Sequence, residues 1–219
     1  MRYDTGVLGA WVGPIGLETF FASHLQRAPF ARPGAFGDPE QLLSWDLLDA
    51  VLQAPQRPDV LVVAAGGLLP FPAPASATEL RAYLRVGVGI CARHCERCHP
   101  DLESIANQFE RDLGTAQVQI FATAAATHGF GWHYDDEDVF IVQTAGVKDY
   151  YFRENTTATG RAASAQFERF CDETSPLHTA TLVPGDVLYV PARWWHVARC
   201  RETALSISVG VTPRRAMAC

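Results

Sequence analysis

The strongest constraint on the fold lies in the second half of the sequence, which is a series of short β-rich segments separated by turn residues. Seven such segments follow Gly114, at 118–123, 138–144, 148–153, 179–183, 186–190, 196–200 and 204–211. Short strands at this spacing are typical of an antiparallel barrel or jelly roll, whereas a parallel sheet needs helices between its strands. The sequence therefore predicts a mainly β fold with a barrel or jelly-roll core.

The first half is predicted to be mostly helical. Ser44 is a candidate N-cap, and Ser76 with Glu79 forms a capping box, which is a helix-start signal. Helices are expected at 17–26, 45–53, 76–85 and 100–113, with a short strand at 59–64. Because the strands of the second half need their outer faces covered, we expect one domain. In this domain, 1–219, a mostly helical N-terminal part (1–115) packs on a β core (116–212).

The composition is that of an ordinary globular protein. Of the 219 residues 48% are hydrophobic, and the net charge of −6 argues against a nucleic-acid partner. The sequence has no run of eighteen apolar residues, so no membrane span is expected, and the apolar stretch 6–21 is too interrupted for a signal peptide. The six cysteines form no regular framework, which favours a reducing, cytoplasmic location.

His133 and Asp135 lie two residues apart in this β-rich context. Residues two apart on a strand project from the same face, so both can bind one metal ion if that face lines a barrel. His196, at the end of P-A-R-W-W-H, is the expected third ligand. Two histidines and one carboxylate with open positions opposite them form the facial triad of non-haem Fe(II) oxygenases. His178 is the rival third ligand, but it precedes a strand rather than following a proline turn into one.

Longer motifs around these residues resemble a known family. They are H-Y-D-D-x-x-x-F-x-x-Q-x-x-G-x-K at 133–148, T-x-x-x-x-x-G-F-x-x-H before it, P-G-D-V-L-Y-V-P-x-x-W-W-H at 184–196 and S-I-S-V-G-V at 206–211. Together they resemble the JmjC-type cupins, and within them the ribosomal-oxygenase-like group. The resemblance implies a double-stranded β-helix (the cupin or jelly-roll core), with Fe(II), 2-oxoglutarate and O2 used to hydroxylate a side chain.

The resemblance also assigns cofactor residues. The iron ligands fall on His133, Asp135 and His196, and the residue that binds the distal carboxylate of 2-oxoglutarate falls on Lys148, the chain's only lysine. Gln119 matches an amide near the cofactor.

One position departs from the family pattern. Where the family often has a tyrosine near the distal carboxylate, this chain has Phe121, which cannot donate a hydrogen bond. Thr123, Tyr134 or Ser208 could supply the missing hydroxyl group.

Candidate substrate residues are next to the proposed ligands in sequence. Trp132, Trp194 and Trp195 could wall the entrance to the site, with packing at the barrel rim as the alternative for each, and Tyr134 is a further candidate substrate residue. Asp136 opens an acidic run, 136–138, that could receive a cationic side chain or simply be a solvated turn.

Cys91-x3-Cys95-x2-Cys98, flanked by His94 and His99, is the other notable pattern. Its spacing equals the cysteine signature of radical S-adenosylmethionine enzymes, and Cys/His clusters also bind zinc. No alternation of strands and helices follows, however, and positions i, i+4 and i+7 share one helical face. We therefore expect packed free thiols, with zinc as the alternative.

The sequence thus predicts an Fe(II)- and 2-oxoglutarate-dependent dioxygenase that hydroxylates an amino-acid side chain in a protein or peptide. A free amino acid or a small natural product is the alternative substrate. A non-catalytic metal-binding cupin module is the alternative function. A homodimer is compatible with the sequence.

Overall fold

The computed structural model describes residues 7–156 and 170–214. Its helices are α1 Val7–Val12, α2 Gly16–Thr19, α3 Trp45–Gln53, α4 Ala77–Arg85 and α5 Pro100–Asp112, with short 3-10 turns at Gly13–Ile15, Pro39–Gln41 and Cys95–Arg97 and a π-turn at Phe20–His24. Its strands are β1 Phe30–Arg32, β2 Asp59–Ala64, β3 Gly67–Leu68, β4 Gly89–Arg93, β5 Gly114–Thr123, β6 Asp138–Ala145, β7 Lys148–Arg153, β8 His178–Leu182, β9 Val187–Val190, β10 Trp195–Cys200 and β11 Ala204–Pro213.

Within the described residues these strands form two antiparallel sheets. The larger sheet has the order β1-β9-β6-β11-β5-β4-β2-β3, and the smaller one has the order β10-β7-β8. Alternate residues of a strand face opposite sides, and β5 shows this clearly. Val118 and Ile120 belong to the core under the helices, while Phe121 faces Lys148 of the smaller sheet. The space between the sheets is therefore lined by the alternate residues of each strand, whose side chains point away from the helices.

The outer face of the larger sheet is covered by the N-terminal part of the chain. Trp11 of α1 packs edge-on against Phe109 of α5, with ring centroids 5.1 Å apart, and lies 6.4 Å from Phe140 of β6. All three side chains are buried in one hydrophobic cluster that continues through β5 and β11. Helices and barrel therefore share a core, as the predicted fold class requires.

The seven predicted strands of the second half are observed as β5 to β11, with ends that differ by a few residues. The capping predictions also hold, because Ser44 and Ser76 accept hydrogen bonds from the backbone N–H groups of Leu47 and Glu79. The N-terminal part additionally contributes β1 to β4 to the larger sheet. No helix in the described ranges is long and apolar enough to span a membrane.

One local prediction was wrong. Cys91 was expected on a helical face with Cys95 and Cys98, but it lies on β4, which pairs with β2 and β5. The helical periodicity of the three cysteines is coincidental here, because the pairing of β4 with two neighbouring strands determines its conformation.

Candidate metal centre

Two backbone hydrogen bonds bring the histidines of the site together. The N–H of His133 donates to the carbonyl of His196 (3.2 Å), and the N–H of His196 donates to the carbonyl of His133 (2.8 Å). The N–H of Arg193 donates to the carbonyl of Asp135 (2.7 Å), which holds the second ligand against the turn before β10. Residues that are 63 positions apart, His133 and His196, thus form one antiparallel bridge.

The side chains of this bridge form a group suited to a metal ion. One ligand atom from each of His133, Asp135 and His196 lies within 4.8 Å of the others, and no other such group occurs in the described residues. Nε2 of His196 lies 3.4 Å from a carboxylate oxygen of Asp135. The three residues predicted as ligands are therefore brought together, whereas His178 is exposed on β8 and stacks on Phe152.

The hydrogen bonds of the two imidazole rings engage Nδ1 and leave Nε2 free to bind a metal ion. Nδ1 of His133 lies 2.7 Å from the carbonyl oxygen of Gly131, and Nδ1 of His196 lies 3.1 Å from that of Trp194. Because a carbonyl only accepts, each Nδ1 carries the proton and each Nε2 keeps its lone pair. Burial and the neighbouring His133 lower the pKa of His196 to about 4, so its ring is neutral at pH 7, the form that binds metals.

Lys148 lies deeper between the sheets, at the start of β7. Its side chain is 3% exposed, and its ammonium donates to Oγ of Ser206 (2.9 Å) and lies 5.8 Å from the centroid of the Phe121 ring. In the described part of the chain no carboxylate forms an ion pair with it. Burial lowers the pKa of Lys148, because the charged form loses its hydration. An anionic ligand beside it would offset this loss and stabilise the charged form.

The other predicted cofactor residues line the same space. Gln119 donates from Nε2 to the side-chain carbonyl of Gln117 (3.0 Å) and accepts from the thiol of Cys91 (3.6 Å). Thr123 is buried at the end of β5 and hydrogen-bonds with Cys200. Ser208 is buried on β11 directly opposite Gln119. All three lie on the larger sheet, which forms one wall of the interior.

The aromatic residues beside the ligands pack mainly against one another. Trp132 stacks on Phe170, with ring centroids 4.1 Å apart, and Tyr134 packs edge-on against the buried Trp195 at 4.9 Å. The ring contacts of His133 itself are with Phe130 and His196. Trp194 is partly buried against an interior apolar cluster, and Asp136 is exposed.

The three cysteines of the first half do not converge. Cys91 donates to the Gln119 side chain, Cys95 to the carbonyl of Ala92, and Cys98 to the carbonyl of Gln56. Burial raises the pKa of Cys91 to about 12, and it raises that of Cys95 further, so both remain neutral thiols. This arrangement agrees with packed free thiols.

Two residues next to Lys148 were not predicted from the sequence. Ser206 accepts its hydrogen bond, and Tyr150 is buried two residues further along β7 and hydrogen-bonds to Ser206. Strand periodicity could have indicated Tyr150, since it must share the inward face of Lys148. Ser206 depends on how the two sheets face each other, which no local pattern states.

The fold and the site define the class of protein. The chain belongs to the JmjC domain family, whose model matches residues 95–218. It is 37% identical over 118 residues to ribosomal oxygenase 2 of Bos taurus, an alignment that covers 53% of this chain and 25% of that protein. It is 28% identical over 124 residues to a probable ribosomal oxygenase of Haemophilus influenzae, covering 56% and 31% of the two proteins.

A solved structure shares the fold. The ribosomal oxygenase YcfD from Escherichia coli, in complex with cobalt and 2-oxoglutarate, superposes with a TM-score of 0.64 at 20% identity, covering 91% of this chain and 52% of that one. The resemblance to JmjC-type cupins and the predicted fold class are therefore confirmed. The chain spans about a quarter to a third of the length of these curated relatives.

Proposed function

We propose that this chain is an Fe(II)- and 2-oxoglutarate-dependent dioxygenase that hydroxylates an amino-acid side chain in a protein or peptide. The observation that carries the proposal is the combination of two sites in one interior. One ligand atom from each of His133, Asp135 and His196 lies within 4.8 Å of the others. Lys148, for which the described residues supply no carboxylate partner, is buried between the sheets.

The donor set fits the proposed metal and co-substrate. His133, Asp135 and His196 would hold Fe(II) and leave its remaining positions open. When bound, Fe(II) and 2-oxoglutarate supply the oxidising chemistry that inserts one oxygen atom of O2 into a C–H bond, with release of succinate and CO2. Lys148 would hold the distal carboxylate by a charge-assisted hydrogen bond, and the buried interior keeps water away from this pair.

Three further residues are proposed to line the co-substrate site. Gln119, Thr123 and Ser208 place an amide and two hydroxyl groups on the wall that faces Lys148. Hydrogen bonds from such groups would orient the co-substrate, while the strands that carry them provide a rigid frame.

A protein or peptide substrate is supported by the names of the relatives, several of which are ribosomal oxygenases. Among the candidate substrate residues, Asp136 is exposed and Trp194 partly so, which makes these two accessible to a large partner. Trp132 and Tyr134 would act on substrate mainly by supporting the rim. A reducing, cytoplasmic location is proposed from the cysteine pattern and agrees with the free thiols of Cys91, Cys95, Cys98, Cys171 and Cys200.

The proposal can be tested without a known substrate. The apoprotein is loaded with Fe(II) under anaerobic conditions, 2-oxoglutarate is added, and the weak visible charge-transfer band of the chelate is followed by titration. We expect a band in the wild type and a strongly reduced apparent affinity for 2-oxoglutarate in Lys148→Met. Arg199→Met is the matched control, because Arg199 is an exposed cation on the neighbouring strand β10.

The outcomes separate the parts of the proposal. Iron binding without a band in the wild type would contradict the oxygenase function. If Lys148→Met bound 2-oxoglutarate as tightly as Arg199→Met, the metal site would stand and the assignment of Lys148 would be wrong.

A further inference from the structure

Lys148 belongs to a connected group of buried polar side chains between the two sheets. The ammonium donates to Oγ of Ser206 at 2.9 Å, and Ser206 also hydrogen-bonds with Tyr150. All three side chains are at most 4% exposed. The neighbours of Tyr150 are hydrophobic residues such as Ile141, Phe152 and Leu182, so its hydroxyl group is the exception in an apolar surrounding.

Some hydrogen-bond donors of this group have no acceptor in the described residues. An ammonium has three N–H donors, and the described residues give Lys148 one hydrogen-bond partner, Ser206. Because Ser206 accepts from Lys148, its own proton is free to be donated to the Tyr150 oxygen. The Tyr150 O–H then remains as a donor beside the ammonium. Buried donors without acceptors are costly, and a carboxylate would satisfy them.

On the facing strand β5, position 121 offers no such donor. Phe121 faces the ammonium across the interior with a hydrocarbon ring. Of the hydroxyl groups named as replacements, Tyr134 packs on Trp195 and Thr123 contacts the thiol of Cys200. Ser208 pairs with Gln119, two positions along β11 from Ser206, which pairs with Phe121. Tyr150 is thus the tyrosine that the fold places next to Lys148.

We propose that Tyr150, held by Ser206, is the hydroxyl donor that binds the distal carboxylate of 2-oxoglutarate together with Lys148, in place of a hydroxyl group at position 121. This inference rests on the proposed function and assigns a cofactor-binding role to a residue of β7. In this role the Tyr150 hydroxyl group favours a co-substrate that carries a distal carboxylate.

The test compares two keto acids that differ in that carboxylate. Protein loaded anaerobically with Mn(II) is titrated calorimetrically with 2-oxoglutarate and with 2-oxopentanoate, which has the same chain length and no distal carboxylate. We expect Tyr150→Phe to weaken 2-oxoglutarate binding roughly 10- to 100-fold, the effect of one hydrogen bond to a charged group. Binding of 2-oxopentanoate should not change.

Two further variants sharpen the test. Tyr151→Phe is the matched control, because Tyr151 lies on the opposite face of β7 and should leave both affinities unchanged. Phe121→Tyr, added to Tyr150→Phe, puts a hydroxyl group on the other side of Lys148 and should restore much of the affinity for 2-oxoglutarate.

The results that would overturn the inference are distinct from those that would overturn the function. Unchanged 2-oxoglutarate binding in Tyr150→Phe, or an equal loss for both keto acids, would show that Tyr150 does not bind the distal carboxylate. If the wild type with Mn(II) bound no 2-oxoglutarate, the proposed function itself would fall, and the inference with it.

Discussion

At the scale of single residues, the metal centre depends on how each imidazole is held. His133 and His196 each direct Nδ1 to a carbonyl oxygen two residues earlier in the chain, which leaves Nε2 of each ring free. One ligand atom from each ring lies within 4.8 Å of one from Asp135. His178, which the sequence offered as a rival, is exposed and stacks on Phe152 instead. His196 and His178 are the same residue type, so the position and orientation of the ring distinguish the candidate ligand from its rival.

We expect His196→Ala to weaken Mn(II) binding by more than about 100-fold. Loss of a residue that only orients a metal ligand lowers metal affinity by about 10- to 100-fold, and loss of the ligand itself should lower it further. His178→Ala should leave the affinity unchanged. An anaerobic Mn(II) titration followed by electron paramagnetic resonance measures both. Retained binding in His196→Ala together with loss in His178→Ala would show that the ligand set is wrong.

The sequence contained the pattern of the metal ligands but not the surroundings of Lys148. His133 and Asp135 follow from strand periodicity, and His196 from the turn before β10. Ser206, by contrast, meets Lys148 only because β11 of one sheet faces β7 of the other. Contacts between sheets depend on the spacing and twist of the whole barrel, which local patterns do not contain.

At the scale of secondary-structure elements, the sequence predicted the helices that begin after a capping residue. Helices α3 and α4 begin after serine caps, and both caps were predicted from the sequence. Strand β4 was missed because its sequence, G-I-C-A-R, is short and its one cysteine, Cys91, also matches a helical spacing with Cys95 and Cys98. Its conformation comes from pairing with β2 and β5, which are distant in sequence.

The segment that precedes β8 is held by one carboxylate. Glu173 accepts hydrogen bonds from the backbone N–H groups of Thr156 and Ser175 and from the Thr156 hydroxyl, at 2.7–2.9 Å. Burial alone would raise the pKa of Glu173, but these hydrogen bonds outweigh it and lower the pKa to about 2. Near this carboxylate Phe170 stacks on Trp132, which precedes the candidate ligand His133.

Glu173 should therefore make stability depend on pH in a defined window. Because its pKa is lowered from 4.5 to about 2 on folding, its contribution is fully present above about pH 5 and is lost as the pH falls towards 2. We expect Glu173→Gln to lower the free energy of unfolding by about 1–3 kcal/mol at pH 7 and by progressively less below pH 4.5.

Urea unfolding at pH 7, 4 and 3 measures this difference. Glu202→Gln is the control, because Glu202 is exposed in the turn between β10 and β11. A pH-independent difference between Glu173→Gln and wild type would contradict the role of the charge.

At the scale of the whole molecule, the N-terminal part and the barrel share one hydrophobic core. Trp11, Phe109 and Phe140 come from α1, α5 and β6, and they meet beneath the larger sheet. The inward face of that sheet carries the candidate site. Loss of the outer layer would expose the apolar face of the strands that hold the site, so the helices and the site should be lost together.

Trp11→Ala tests this coupling. Removing a fully buried tryptophan should lower the free energy of unfolding by about 3–5 kcal/mol, through lost burial and the cavity that remains. Since one core joins the two parts, far-ultraviolet circular dichroism and Mn(II) release should report the same single transition in wild type and variant. Leu68→Ala, at a position that is 62% exposed, is the control and should stay within about 0.5 kcal/mol of wild type. Two separate transitions, with Mn(II) release unaffected by Trp11→Ala, would show that the barrel folds independently of the helices that cover it.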